Sequence, residues 1–427
     1  MTNGRRTFVA GLALAALGAA LGPLALRAAE GRVPGIGAHG AEDSGGAAAR
    51  AGQAASAAGQ AASAPVTVEE LNAAIDRLGS FDFDVRTAAG RTVRRAAVNV
   101  STPLLARAAR SHKDEYVRYR ALVILAGLGE SAAGEVVRDV ITDRNDRLRT
   151  VSYGWYEHHP DPAVLPTLLA ALSTEQTEFV RPTLTRAIAA QGTDPRAQAA
   201  LVPLVARGAD LFRGAVIEAL GDYKGQYALP AIIEVAKLDG PLQDDAITAM
   251  GKLGDLSLRP TMAALQKSAP PEGQPTISAA LCLLGIDCPG QRAYLLRTLA
   301  FAAANQGYQP LLRGVVHGFG MLAMRGDEAA LNALFDAGVP SQDPARAPIA
   351  LGVGVIALRN PQLLLKVIET RKDFDKAGDL LQDAFDMLSE DYEEERFYVE
   401  IRKAFYAAPE GSARKRVAQA LIDKLEF

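Results

Sequence analysis

The chain has 427 residues, with 46 Lys and Arg against 49 Asp and Glu and a formal charge of −3, so no overall positive field draws it to nucleic acid. Hydrophobic residues make up 49% and aromatics only 6%, which places the apolar mass in Ala, Leu and Val and favours helices over strands. Two cysteines, Cys282 and Cys288, exclude a disulfide-built miniature scaffold and a cysteine-ligated zinc cluster.

Residues 1–29 open with Arg5 and Arg6, continue as an uncharged run from Thr7 to Leu26, and end in the small residues Ala28 and Ala29. A positive start, an apolar stretch and small residues at a cleavage point are a targeting pattern. The segment Gly4-Arg5-Arg6-Thr7-Phe8-Val9 resembles a twin-arginine export signal, with Gly4 where Ser or Thr is usual. That resemblance implies a bacterial protein exported to the periplasm or cell envelope. A cleaved signal is the expectation; the alternative is an uncleaved anchor over residues 7–26, since about 20 apolar residues cross a bilayer. Such an anchor would be the chain's contact with a membrane. Residues 30–65 read as a disordered linker, because Ala38 to Ala64 is Ala, Gly, Ser and Gln with too little apolar bulk to offset its ordering entropy.

From Pro65 onward the pattern is helical, and it repeats. The arginines of Asp84-Val85-Arg86, Tyr116-Val117-Arg118, Arg147-Leu148-Arg149, Phe179-Val180-Arg181 and Leu211-Phe212-Arg213 follow one another at 32, 31, 32 and 32 residues. Asp210 to Leu238 is the most regular unit. In it Leu211, Ala215, Val216, Ala219 and Leu220 fall at helical spacing, Gly221 to Gly225 break the helix, and a second helix opens behind Pro230. Two short helices cannot bury both apolar faces alone, so such a unit needs neighbours on either side. Residues 66–290 hold the regular repeats. Residues 291–427 read as divergent helical repeats with a C-terminal cap.

Val117-Arg118 with Leu128-Gly129, Phe212-Arg213 with Leu220-Gly221, Met250-Gly251 with Gly254-Asp255, and Asp161-Pro162 with Pro166 resemble the HEAT-like repeat of the phycobilisome-lyase type. The resemblance implies an all-α, right-handed superhelical solenoid of roughly ten helix pairs. It implies little about function, since that family contains lyases, DNA-repair proteins and scaffolds. The physics of the residues agrees. Gly129, Gly192, Gly221 and Gly254 suit helix ends, Asp161, Asp194 and Asp222 suit the start of a second helix, and Pro166, Pro203, Pro230 and Pro260 suit a first turn.

Three features are candidate sites. The arginine ladder of Arg86, Arg118, Arg149, Arg181 and Arg213 reads as a set of struts bonding aspartates or helix-end carbonyls, because it keeps step with the repeat itself. Tyr153, Trp155, Tyr156, His158 and His159 depart from the pattern and include the single tryptophan, and Tyr392, Glu393 and Glu394 lie in an acidic, aromatic run; both read as candidate partner-binding surfaces. Cys282 and Cys288 are a candidate disulfide in an oxidising compartment. Adjacent histidines diverge on a helix and no spaced ligand set accompanies them, so no metal is assigned. The loop at Asp373 lacks oxygen ligands at Ala377 and Ala384 and is no calcium site. No nucleotide fingerprint or catalytic set is present, and no cofactor is assigned. The sequence therefore reads as an exported, non-enzymatic scaffold that binds another protein on its concave face, with no nucleic acid partner. The alternative is a lyase-like or cofactor-handling enzyme subunit on the same fold.

Overall fold

The structure, a computed structural model, describes residues 66–427 apart from 129, 389 and 390. The export signal and the linker expected over residues 1–65 lie outside the described residues. The chain begins with α1 (Val68–Arg77), α2 (Phe83–Arg95), α3 (Val98–Ser111), α4 (Glu115–Leu128), α5 (Glu130–Val140), α6 (Asp146–His158), α7 (Leu165–Thr174) and α8 (Arg181–Ala189). It continues through α9 (Pro195–Leu201), α10 (Asp210–Asp222), α11 (Leu229–Ala236), α12 (Gln243–Leu253), α13 (Arg259–Ser268), α14 (Gln274–Leu283) and α15 (Cys288–Ala304). The last third is α16 (Gln309–Ala323), α17 (Glu328–Gly338), α18 (Arg346–Arg359), α19 (Pro361–Thr370), α20 (Phe374–Phe385), α21 (Tyr392–Ala407) and α22 (Ala413–Leu425). All regular elements among the described residues are helical, so the chain is an all-α solenoid of HEAT-like helix pairs. No single described helix is long and apolar enough to cross a membrane.

The first helices of successive pairs stack directly on one another, from α4 through α6, α8, α10, α12, α14, α16 and α18 to α20. From α6 to α18 these inner helices are buried over most of their surface, whereas the second helices and α20 present one face outward. Local chemistry ends each element. Asp194 accepts from the amide of Arg196 at 2.8 Å, and Pro166, Pro230 and Pro260 sit in first turns where no amide partner is lost.

The glycines divide into two kinds. Gly254 closes α12 in the left-handed conformation, at φ 77°, as its position suggests. Gly221 does not end a helix. It lies inside α10, where a Cβ would stand 2.8 Å from Ala249 Cα, so its role is close approach of α10 to α12. Gly251 repeats the device one pair later against Ala280. Asp222 departs from expectation as well: it is the last residue of α10 and pairs with cations instead of capping the following helix.

The array also differs from an open solenoid with a free concave face. Helix α21 leaves α20, packs on α18, and reaches back to α4 and α6. The C-terminal helices thus bridge to the N-terminal pairs and close the array on itself.

Close helix approach gives a direct test. Gly251→Val overpacks the α12–α14 contact and should cost about 1–3 kcal/mol in urea unfolding. Gly307→Ala, where a new Cβ meets no atom within 4 Å, should stay within about 0.5 kcal/mol.

Candidate functional site: the closed concave face

The two runs singled out as binding surfaces meet each other. Helix α6 starts behind Asn145, which accepts from the amide of Arg147 at 3.0 Å, and carries Tyr153, Trp155, Tyr156 and Glu157 into the interior. Helix α21 starts behind Asp391, whose carboxylate accepts from the amides of Glu393 and Glu394 at 2.9 and 3.2 Å. Glu393 and Glu394 also suit the positive end of that helix dipole. Gly154 lets the Tyr392 ring lie against α6, since a Cβ there would be 3.0 Å from it, and Gly127 likewise admits the Glu395 side chain to α4. Trp155 is 4% exposed, stacks on His159 at 3.9 Å between ring centroids, and faces Tyr392 at 6.3 Å. As open docking patches the two runs are corrected: Tyr153, Trp155, Tyr156, Tyr392 and Glu394 are buried, and each run is the other's partner.

Ion pairs complete the seam. His158 Nε2 lies 2.8 Å from Glu393, and Arg396 donates to Glu393 at 2.8 Å. Arg94 donates through Nε to Glu395 at 3.0 Å and stacks over Tyr398, while Arg402 reaches the same carboxylate at 3.0 Å. Arg91 meets Glu426 at 2.6 Å.

Inside the seam, the C-terminal turns of the inner helices converge. Glu157 accepts from Arg186 at 2.8 Å, from the Tyr223 hydroxyl at 2.8 Å and from Arg359 at 3.1 Å. Asp222 accepts from Arg186 at 2.9 Å and pairs with Lys252 at 2.6 Å. Lys224 and Arg325 both donate to the backbone carbonyl of Lys252 at the end of α12, where the negative end of the dipole favours cations. Burial alone would raise the Glu157 carboxyl, but Arg186 and Arg359 outweigh it and hold it below its usual range. Asp222 is held down in the same way, its burial overcome by Lys252 and Arg186. For Tyr223, burial and the adjacent Glu157 push the phenol well up, so it stays a donor.

Beside this network lies a cavity of about 50 Å³ lined by Glu218, Asp222, Asp245, Lys252, His317 and Arg359, with Val316 and Ile356 on its wall. The Thr248 hydroxyl lies 2.9 Å from His317 Nε2, and burial, with Lys252 nearby, lowers the imidazole to about 4, so it is neutral at pH 7. Glu157, His158 and Glu393 bring ligand atoms within 4.8 Å of one another. Their oxygens already accept from Arg186, Arg359 and Arg396, so a divalent ion would have to compete with guanidinium groups in place.

The arginine ladder finds its partners within the array. Arg86 donates to Ser80 O, Arg118 to Ala109 O and Asp143, Arg149 to Asp143 O and Glu175, and Arg213 to Val205 O and Asp210. Arg181 lies over the Phe212 ring at 3.6 Å. Cys282 and Cys288 are joined as a disulfide across the turn between α14 and α15, with Cα atoms 4.1 Å apart.

No family model matches the chain, and no curated protein matches it. Among solved structures it is similar to YibA of Escherichia coli, at 18% identity over 51% of this chain and 82% of that one, with a TM-score of 0.39. It is similar to the CpcE–CpcF complex of phycocyanin lyase from Nostoc, at 20% identity over 60% of this chain and 94% of that one, TM-score 0.38. Yeast importin-beta matches at 11% identity over 84% of this chain and 56% of that one, TM-score 0.39. Similarity at this level assigns neither a family nor an activity.

Two outcomes follow from the seam. Glu395→Ala strands the buried Arg94 and should cost about 3–5 kcal/mol in chemical unfolding, whereas Asp194→Ala, which removes a solvent-screened partner of Arg196 and a helix cap, should shift the unfolding midpoint far less. The depressed carboxyls of Glu157, Asp222 and Glu393 contribute stability that is present above the unfolded value of about 4. That contribution is lost as pH falls through their lower folded values. An acid titration followed by Trp155 fluorescence should therefore stay flat from neutral pH to about 4 and shift to the red below it.

Proposed function

We propose that the protein is an exported, non-enzymatic scaffold that binds another protein. The observation behind this reading is a row of exposed apolar side chains at the ends of helices opposite the ionic interior. Phe83, Phe179 and Leu211 are 56%, 52% and 40% exposed, and each stands at or beside the N-terminus of a first helix, α2, α8 and α10. Phe179 and Leu211 occupy equivalent places 32 residues apart, so they lie along one edge of the array. Large apolar groups repeated on one edge suit a protein partner better than solvent. Because α21 covers the concave face, that edge replaces it as the docking surface in this reading. Export is supported by the Arg5-Arg6 segment and by the Cys282–Cys288 disulfide, which suits an oxidising compartment. The cofactor-handling alternative has no comparable observation behind it.

Affinity capture from the cell-envelope fraction tests the reading. The wild-type chain should enrich a defined protein, and the combined change Phe83→Ser, Phe179→Ser and Leu211→Ser should remove it while each substitution changes stability by no more than about 0.5 kcal/mol. Capture unaffected by the triple change contradicts the edge as the docking surface. Mass spectrometry of the native N-terminus and fractionation test export: a start near residue 30 in the exported fraction supports it, and a cytoplasmic protein beginning at residue 1 or 2 contradicts it.

A further inference from the structure

Around the cavity, the carboxylates Glu157, Glu218, Asp222 and Asp245 stand with the cations Arg186, Lys252 and Arg359, while Lys224 and Arg325 are held on the Lys252 carbonyl. Glu157 takes three donors on Oε1, Asp222 takes Arg186 and Lys252 on its two oxygens, and Glu218 reaches Arg186 at 3.8 Å. The Asp245 carboxylate on α12 has no hydrogen bond or ion pair from the described residues. Gly214 on α10 makes room for it, since a Cβ there would be 2.6 Å from Asp245 Oδ2. The carboxylate lines the cavity of about 50 Å³, several times what one water needs on the same measure. The lining also has an apolar part, Val316, Met324, Val355 and Ile356, with Val316 seated in the space left by Gly352. Glu218 and Asp222 have side chains about one-quarter exposed, and Asp245 is likewise only partly buried, so solvent reaches all three lining carboxylates.

A charge without a counter-ion beside a strip of hydrocarbon fits one chemistry. We propose that the cavity binds an aliphatic primary amine, its ammonium group pairing with Asp245 and Glu218 and its methylenes lying on Val316, Val355 and Ile356. An anion is disfavoured because each cation of the site already has a carboxylate. The amine has two sources of the same chemistry, a free alkyl amine or a lysine side chain presented by a protein. The site is independent of the edge proposed for docking and stands whether or not that edge binds a partner.

The amine's competitor for Asp245 is a proton. Burial, with Glu218 and Asp244 adding to it and Lys252 opposing it, raises this carboxyl to about 7. The other charged or titratable groups facing it are Asp222 from α10, Arg359 from α18 and neutral His317 from α16.

Isothermal titration of the full chain with n-butylamine at pH 6 and pH 8 tests the proposal. One equivalent should bind, about tenfold more weakly at pH 6, where about nine-tenths of Asp245 carries a proton that the amine must displace. At pH 6 the heat should depend on the ionisation enthalpy of the buffer, and at pH 8 it should not. Asp245→Asn, with an unchanged Trp155 spectrum as the fold control, should weaken binding at least tenfold and abolish the buffer dependence. Carbon-13 NMR of the wild-type carboxyl groups needs no variant: saturating n-butylamine should move the Asp245 titration to lower pH. A lysine-bearing tripeptide capped at both ends, run in parallel, separates the sources. Tighter binding than n-butylamine supports a protein side chain; weaker binding supports a free amine. No heat from either ligand, with an unshifted Asp245 titration, overturns the site and leaves the proton as the only neutralising species.

Discussion

The fold depends on the contact between Glu157 and the guanidinium groups of Arg186 and Arg359. A carboxylate removed from water is costly unless its lone pairs are met, and Glu157 is met by two guanidinium groups and a phenol from three different helices. Arg186 on α8 and Tyr223 just after α10 come from the next two pairs, whereas Arg359 on α18 is 202 positions away, so satisfying one charge fixes how far the array curves. Curvature then brings α21 to α4 and α6, and the Trp155, Tyr392 and Glu395 contacts follow. Breaking any one partner leaves charges in an interior that cannot solvate them.

Much of this was legible in the chain, and the reason is local. The arginine interval, the prolines of the second helices and the small residues between stacked helices all act within one repeat or its neighbour, where pattern reading works. The closure was not legible, because its contacts join residues 202 to 335 positions apart and none of them repeats. The signal was present but pointed elsewhere. Tyr153 to His159 depart from the repeat and Tyr392 to Glu394 form an acidic, aromatic run, yet such irregularity indicates only that a residue meets something unusual. Here each stretch meets the other. Gly221 shows the same limit at smaller scale: a glycine near a helix end suggests a left-handed stop, and only the distance to Ala249 reveals close packing.

Asp245 was missed for a further reason. It stands at an ordinary repeat position, and nothing in its neighbourhood of sequence marks it as lacking a partner. Its status emerges only after Arg186, Lys252 and Arg359 have been assigned to other carboxylates. The cavity beside it is shared by α10, α12, α16 and α18, and Arg359, which reaches Glu157, also lines it. The exposed apolar residues at the opposite helix ends make the outer edge the surface proposed for a protein partner.

The closed array is the central claim, and a distance across the closure tests it most directly. Nitroxide labels at Arg95 on α2 and Asp423 on α22 stand about one helical turn from the Arg91–Glu426 contact. Pulsed electron paramagnetic resonance should give a single narrow distribution on the order of 20 Å. An open solenoid, advancing about 8–10 Å per stacked helix, would place the labels more than roughly 50 Å apart, and such a distribution would contradict the account.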